Sequence, residues 1–404
     1  MTLTTLFVDM NAYFASVEQQ VRPELRHRPV AVVPMITDNT CCIAVSYEAK
    51  RFGIKTGTQV GAAKRMCPDL RIVEARPDLY VEFHHAVIAA VESCLHVDAV
   101  HSIDEMSCRL MGTEREPAPA TELARRVKET IRRQVGDGMR CSVGLASNRL
   151  LAKVASDMEK PDGLIVITSE ELPQRLYGLD LSDLPGIGLR MKERLRRHGI
   201  VTVEQLCGLS QERLRSIWQS VLGRQWWHWL RGHDLPDQPT HRRTVGHSHV
   251  LPPKLRNRAD AQAVLIRLIH RAAARLRHLR CWARSMMVYV AFLPKGKWKD
   301  RIGLGLCQDT VSMVEAFCNL WERCPSGTPL QVGVTLFNLV ADESATLPLF
   351  TEERDRIKLA HVMDRLHVRF GAHTIYLADM HEVRESAPRR ISFTSIPRLD
   401  PTEY

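Results

Sequence analysis

The stretch Ser102-Ile103-Asp104-Glu105 limits most severely what this chain can fold into. Two adjacent carboxylates stand between two apolar runs, Val97 to Ile103 and Met106 to Met111, both rich in residues that suit strands. Neighbouring side chains on an extended chain point to opposite faces. The two acids converge on one point only where the strand turns, so Asp104 and Glu105 are expected at a hairpin tip. Charges this close repel unless a cation lies between them. A third acid, Asp9, ends the apolar run Leu3-Thr4-Thr5-Leu6-Phe7-Val8 far upstream. If that first strand lies beside the hairpin, three carboxylates meet. Hard oxygen ligands completed by substrate phosphates are what Mg²⁺ takes, and two such ions drive in-line phosphoryl transfer. An acidic pair at a hairpin is by itself usually just a polar turn; the rest of the chain decides between the two readings.

Four segments appear in order: Asp9-Met10-Asn11-Ala12-Tyr13-Phe14-Ala15-Ser16-Val17-Glu18, Ser46-Tyr47-Glu48-Ala49-Lys50-Arg51-Phe52-Gly53, Ser102-Ile103-Asp104-Glu105, and Ser156-Asp157-Met158-Glu159-Lys160-Pro161-Asp162-Gly163. This series resembles the Y-family translesion DNA polymerases of the bacterial polymerase IV and V type, over residues 1 to about 340. The resemblance implies a multidomain α+β right-hand polymerase. A ferredoxin-like palm would take residues 1–10 and 79–167, with small fingers inserted at 11–78. A helical helix-hairpin-helix thumb would take 168–240 and an α+β little finger 241–340, leaving a tail at 341–404. It implies low-fidelity, template-directed addition of dNTPs to a primer end and synthesis opposite damaged bases, as in the mutagenic SOS response, by a monomer.

Composition agrees with a soluble DNA-binding protein. At 404 residues the chain exceeds one ordinary core. No run approaches the roughly 20 apolar residues of a membrane helix, and no secretory signal is visible. Eleven scattered cysteines without a C-x-x-C pair read as buried thiols in a reducing, cytoplasmic setting. The net charge is +10, and between His241 and Arg301 there are 15 Lys plus Arg against Asp260 and Asp300 alone. The basic excess therefore sits in one sixth of the chain, as expected of a domain that meets a polyanion.

Residues 1 to 167 alternate strands with helices, as a split βαβ palm does. In the all-helical stretch that follows, Leu184-Pro185-Gly186-Ile187-Gly188 reads as a hairpin whose Gly186 and Gly188 expose backbone N–H groups to a phosphate. Trp218, Trp226, Trp227 and Trp229 read as helix core. After the linker with Pro236, Pro239, Arg242 and Arg243, the order strand, helix, strand, strand, helix, strand forms a second α+β unit. In its first helix Leu265, Leu268, Ile269, Ala272, Leu276 and Leu279 share a face. Arg267, Arg271 and Arg275 lie opposite and, with Lys295 and Lys297, are expected to grip DNA phosphates without reading sequence. The segment Thr346-Leu347-Pro348-Leu349-Phe350 resembles a sliding-clamp peptide, with Leu347, Leu349 and Phe350 as apolar anchors and Thr346 where glutamine is usual.

The resemblance also assigns the chemistry. Asp9 and Asp104 would bridge two Mg²⁺ ions, Glu105 would hold the ion that activates the primer hydroxyl, and the Met10 carbonyl would complete the nucleotide-side ion. Tyr47, Lys50 and Arg51 share one face of a short helix and, with Lys160, would bind the triphosphate. The family's Arg-Lys order is inverted at Lys50-Arg51, which leaves open which of the two grips phosphate. Phe14 stands at the position whose ring blocks a sugar 2′-hydroxyl. Tyr13 packs either under the nucleotide or in the core. Two other classes compete: a non-catalytic clamp- and DNA-binding subunit of a mutagenesis complex, which would lack the carboxylates, and a nucleotide cyclase, which would lack the basic domain.

Overall fold

The structure is a computed structural model; it describes residues 2–236, 242–346, 348–371, 374–383 and 386. These fall into two compact units that divide between residues 236 and 242.

The first unit begins with β1 (Thr5–Met10), α1 (Tyr13–Val21), β2 (Val30–Val33), β3 (Ala44–Val45), α2 (Tyr47–Lys50), α3 (Val60–Met66) and β4 (Arg71–Glu74). It continues with α4 (Pro77–Glu92), β5 (Val97–Val100), β6 (Glu105–Arg109), α5 (Pro117–Gln134), β7 (Cys141–Ala146), α6 (Arg149–Met158) and β8 (Leu164–Val166). Four short helices close it: α7 (Leu189–Arg197), α8 (Val203–Cys207), α9 (Gln211–Trp218) and α10 (Leu222–Trp229). Its main sheet runs β5-β6-β1-β7-β8, and β3-β2-β4 form a separate small sheet.

Side-chain alternation along β1 decides which face becomes the site. Leu6, Val8 and Met10 enter a core with Val87, Val91, Val127 and Ile131 of α4 and α5. Phe7 enters a second core with Leu151, Ala152, Val154 and Ala155 of α6. Asp9, two residues on, shares the face of Phe7. Helix α6 comes close because residue 144 is glycine; a Cβ there would lie 1.9 Å from the Ala152 carbonyl oxygen. Asn148 caps α6 by accepting the Leu151 N–H at 2.9 Å, and its amide donates to the carbonyls of Trp229 and His233 at 2.9 and 3.2 Å. The same residue thus starts the helix and ties it to α10. Trp218 and Trp226 are buried in the core of the closing helices, as expected.

Between α1 and α4 lies a fully buried carboxylate, Glu18. It accepts from Arg76 Nε and Nη2 at 3.1 and 2.5 Å and from the Tyr80 hydroxyl at 2.8 Å. Breaking such a pair strands the partner. Arg76 is partly exposed and can reach water, so Glu18→Ala is expected to cost about 2–3 kcal/mol, near the low end for buried pairs. An unchanged urea midpoint for this variant would refute that.

The second unit contains β9 (Thr244–Val250), α11 (Arg258–His278), β10 (Cys281–Leu293), β11 (Lys297–Cys307), α12 (Thr310–Trp321), β12 (Thr328–Ala341) and α13 (Thr351–Phe370). Its sheet is antiparallel throughout in the order β11-β10-β12-β9. Val245, Met286, Val288, Val290, Val332, Val334 and Leu336 pack on α11 and α12. The element order is the expected one. Part of the chain after residue 341 packs on this unit: Ala360 of α13 is buried, and Met380 and Val383 join its core.

Two histidines make this unit acid-sensitive. Burial, aided by Arg271 and Arg275, pushes His247 down to about 3, and burial, aided by Arg277, pushes His270 down to about 4. Both stay neutral when folded, whereas an unfolded histidine takes a proton below about 6.5. Stability is therefore full above that pH and falls from about 6.5 down to about 4 for His270 and about 3 for His247, by at most about 1.4 kcal/mol per pH unit for each histidine. Replacing either by Gln is expected to flatten the pH dependence of the unfolding midpoint; an unaltered slope would contradict it.

Candidate active site

Strand pairing brings the segments that carry the three acids side by side. Asp9 lies directly opposite Glu105 in the antiparallel β1–β6 pair, and the Met10 N–H donates to the Asp104 carbonyl at 2.9 Å. The chain turns between β5 and β6, so Asp104 ends the turn and Glu105 opens the strand. Ser102 Oγ donates to Asp104 Oδ1 at 2.5 Å. From below, buried His84 holds the turn, with Nδ1 2.7 Å from the Ile103 carbonyl oxygen. A carbonyl only accepts, so Nδ1 carries the proton. Burial pushes Asp104 up to about 6 against the Ser102 hydrogen bond, and the charges of Asp9 and Glu105 add to the rise.

Two lysines stand in this cluster. Lys153, from α6, pairs with Asp9, with Glu105 at 2.9 Å and with Asp157 at 3.0 Å. Lys160 pairs with Asp9 at 2.7 Å and Asp157 at 2.8 Å. Among the described residues no group of three or more His, Cys, Asp or Glu is posed to hold a metal ion. The donor set nevertheless suits one. Like charges directly opposite on paired strands are destabilising, and Asp104, already disfavoured as an anion, gains from any cation brought to it.

The residues expected to meet the nucleotide lie on and around α1 and α2. Ala12 takes a left-handed conformation (φ 47°, ψ 45°) and turns the chain sharply from β1 into α1. Phe14, two residues on, lies flat on Tyr80, ring centroids 4.3 Å apart and planes 15° apart. Glu18 in turn anchors Tyr80. Tyr13 is in the core, its hydroxyl donating to the Tyr80 carbonyl at 2.6 Å. Ser46 caps α2. Burial pushes Tyr47 up to about 12, with Asp9 and Asp157 adding to the rise. Lys50 lies over the Tyr47 ring at 4.0 Å. Its pKa is lowered by burial and by Lys160, while Asp9 opposes the shift. Lys50, Lys160 and Asp9 therefore feel one another; Lys50 and Arg51 are both exposed.

A cavity of about 780 Å³ opens beside the acids within the first unit. Phe7, His101, Glu105, Ser107, Arg149 and Lys153 line one side, with Pro185, Gly186, Trp226 and Trp229 across from them. His101 stacks on Phe7 at 5.3 Å and meets Ser107 Oγ at 2.8 Å. Gly186 has φ +99°, and Gly188 caps α7. In the first turn of α7 the Met191 N–H donates to the Gly188 carbonyl at 2.9 Å, and Leu189 at its start is 85% exposed.

The expected DNA contacts of α11 need correction. Arg267 is buried, and Arg271 is half-buried beside Asp364, His367, Tyr376 and Met380. Arg275 is half-buried near His247. The helix is buried nearly all round, because Ile266, Ala273 and Ala274 give it a second apolar face. Arg277 on that side pairs with Asp364 of α13 at 2.6 Å. The open surface of this unit is the other face of the sheet. Direct pairing puts Gly246, Thr335, Met287 and Arg301 in one row, and Ser248, Gly333, Tyr289 and Lys299 in the next. Lys295 and Lys297 are exposed at the β10–β11 turn, and Arg242 and Arg243 are exposed just before β9. In the clamp-like segment Leu349 and Phe350 are 81% and 68% exposed, and Leu347 lies outside the described residues.

Lys153 and Asp157 were missed as site residues. The signal was present, since the two stand four apart on a helix ahead of Lys160, but spacing alone does not show that they meet Asp9.

Comparison with known proteins agrees with this geometry. Residues 8–157 match the impB/mucB/samB family and residues 242–349 its C-terminal domain. Residues 182–234 match the thumb domain of DNA polymerase iota. DNA polymerase IV of Moorella thermoacetica is 33% identical over 383 residues, covering 92% of this chain and 95% of that protein. DNA polymerase IV of Acetivibrio thermocellus is 29% identical over 390 residues, with coverage of 92% and 95%. Among solved structures, a Dbh–Dpo4 Y-family polymerase chimera aligns with TM-score 0.70 at 23% identity, over 84% of this chain and 99% of that one. An insertion ternary complex of Dbh DNA polymerase aligns with TM-score 0.57 at the same identity and coverage. Three carboxylates on adjoining strands, a stacked aromatic beside them and full-length likeness to polymerase IV lead to one conclusion: the chain belongs to the impB/mucB/samB family of Y-family translesion DNA polymerases.

Proposed function

We propose that this low-fidelity, DNA-directed DNA polymerase transfers nucleotides with two Mg²⁺ ions held by Asp9, Asp104, Glu105 and the Met10 carbonyl. The observation that carries the reading is the pairing of Asp9 with Glu105, beside the raised Asp104. When bound, the ions would neutralise charge at the entering and leaving oxygens and ease loss of the primer hydroxyl proton. The chain's own residues orient the reactants. Lys50, Tyr47 and Lys160 face the triphosphate, which favours Lys50 over Arg51 as the phosphate contact. Phe14, braced by Tyr80, fills the space of a 2′-hydroxyl. Primer extension on undamaged and damaged templates tests the function. Bypass by the wild type, with an Asp104→Ala blank, is expected; extension that survives Asp104→Ala would overturn it.

The domain division follows: palm on the five-stranded sheet, fingers on the small sheet, thumb on α7 to α10, and little finger on the second unit. Duplex DNA would lie along the α7 turn at Gly186 and Gly188 and on the open sheet face of the second unit. Lys297, Lys299, Arg301, Arg242 and Arg243 then contact phosphates, in place of Arg267, Arg271 and Arg275. Each phosphate contact contributes about 0.9 to the slope of log K against log salt. Lys299→Ala with Arg301→Ala is expected to lower that slope by about 2, whereas Arg267→Ala is expected to leave it unchanged. The reverse pattern would return the contact to α11. The exposed Leu349 and Phe350 favour capture of this segment by a sliding clamp, and the polymerase would act as a monomer.

A further inference from the structure

The ammonium of Lys153 has no place in the chemistry derived above. It is held by three acids, Asp9, Glu105 and Asp157, and its side chain is only 16% exposed. Burial alone would lower its pKa, but the charges of Asp9, Asp157 and Glu105 outweigh that and raise it. It is thus a fixed cation between the two acids that face each other across β1 and β6. Lys160 touches Asp9 and Asp157 but not Glu105. The two lysines also differ in outlook. Lys153 lines the 780 Å³ cavity beside His101 and Arg149, and Lys160 does not. Around the ammonium on that side are Phe7, 5.5 Å from it, and the open cavity.

We propose that Lys153 is a resident counter-ion of the acid cluster, displaced when a divalent cation enters between Asp9 and Glu105, and that it then swings into the cavity to pair with a phosphate of the primer strand. The inference rests on the metal reading given above. Its consequences are physical. Without an ion, Lys153 relieves the repulsion between facing carboxylates and keeps the strands in register. An arriving ion must compete with an ammonium already in place, so Lys153 weakens ion binding in the free enzyme. Primer DNA gives the ammonium a new partner and removes that competition. Ion affinity and primer binding are then coupled, and the coupling is reciprocal. Lys153 is a positioning residue for the ion and not a group that reacts.

The test is thermal melting of the full chain against Ca²⁺, an oxygen-ligated probe ion, with and without a primer–template duplex. Wild type, Lys153→Ala, Lys153→Met and Lys153→Arg are compared. In Lys153→Ala and Lys153→Met the ion-free protein is expected to melt lower than wild type, and the half-saturating Ca²⁺ to fall about tenfold or more. Lys153→Arg keeps the charge and is expected to stay within about threefold of wild type. Primer–template is expected to lower the half-saturating Ca²⁺ of wild type and to leave that of Lys153→Ala unmoved. A lysine that merely supports the fold would lower melting at every Ca²⁺ concentration with the half-saturation unchanged, and that result overturns the proposal alone. Absence of any Ca²⁺ response in wild type, or a response that persists in Asp104→Ala, would remove the metal reading and this proposal together.

Discussion

Replacing Asp104 by asparagine is expected to slow single-turnover primer extension by at least a thousandfold, about 4 kcal/mol of lost transition-state stabilisation. The same change is expected to leave the fold intact. The amide would keep the shape of the carboxylate and could still accept from Ser102 Oγ, which now bonds Asp104 at 2.5 Å. It would also remove one of three like charges from a partly buried cluster in which Asp104 is already pushed up to about 6. The ion-free variant should therefore melt no lower than wild type. Duplex affinity should hold within about threefold, because the proposed DNA contacts lie on α7 and on the sheet face of the second unit. This opposition, activity lost without stability lost, separates a metal ligand from an acid that supports the turn. If extension falls only as far as melting does, the residue is structural.

Phe14→Ala carries the second large effect. Its ring is held flat at 4.3 Å on Tyr80, and Tyr80 is fixed at its hydroxyl by the buried Glu18. On the proposed role, a ring so braced would not step aside for a 2′-hydroxyl, and exclusion would be steric without depending on a hydrogen bond. The ratio of kcat/KM for a dNTP over its ribonucleotide is expected to drop on the order of a hundredfold, about 2.7 kcal/mol. The loss should come from faster ribonucleotide insertion. A ratio that stays at the wild-type value would remove Phe14 from that role. Tyr80→Ala is expected to give a smaller loss in the same direction, since Phe14 would remain but lose its brace.

Much of this was legible in the chain. The apolar run Leu3 to Val8 marked the strand that ends at Asp9, and the adjacent Asp104 and Glu105 required a turn. That Tyr47, Lys50 and Arg51 share one side of α2 followed from their spacing of three and four residues. Helix α11 was harder to read, because it has two apolar faces, and the second is made of Ile266 and small alanines that look like filler between arginines. What covers it comes from more than 80 residues downstream, including Asp364 and Met380. Arginines on a helix were therefore read as an open basic face when they lie at a packed seam. The basic face of the sheet depends on strand register, which brings Arg301 beside Met287 and Lys299 beside Tyr289. Lys153 was invisible because a lysine on a helix is ordinary; only Gly144, by letting α6 sit on the sheet, brings it to Asp9.

The central claim is that Asp9, Asp104 and Glu105 gather divalent ions at the end of a growing primer. Anomalous diffraction from crystals of the enzyme with primer–template, an incoming dNTP and Mn²⁺ tests it most directly. The account expects two peaks at the acid cluster, each within about 2.0–2.2 Å of carboxylate oxygens, the distance range of a small hard cation, with Asp9 and Asp104 touching both. Peaks placed only on the triphosphate, with Lys153 still bound between Asp9 and Glu105, would contradict it.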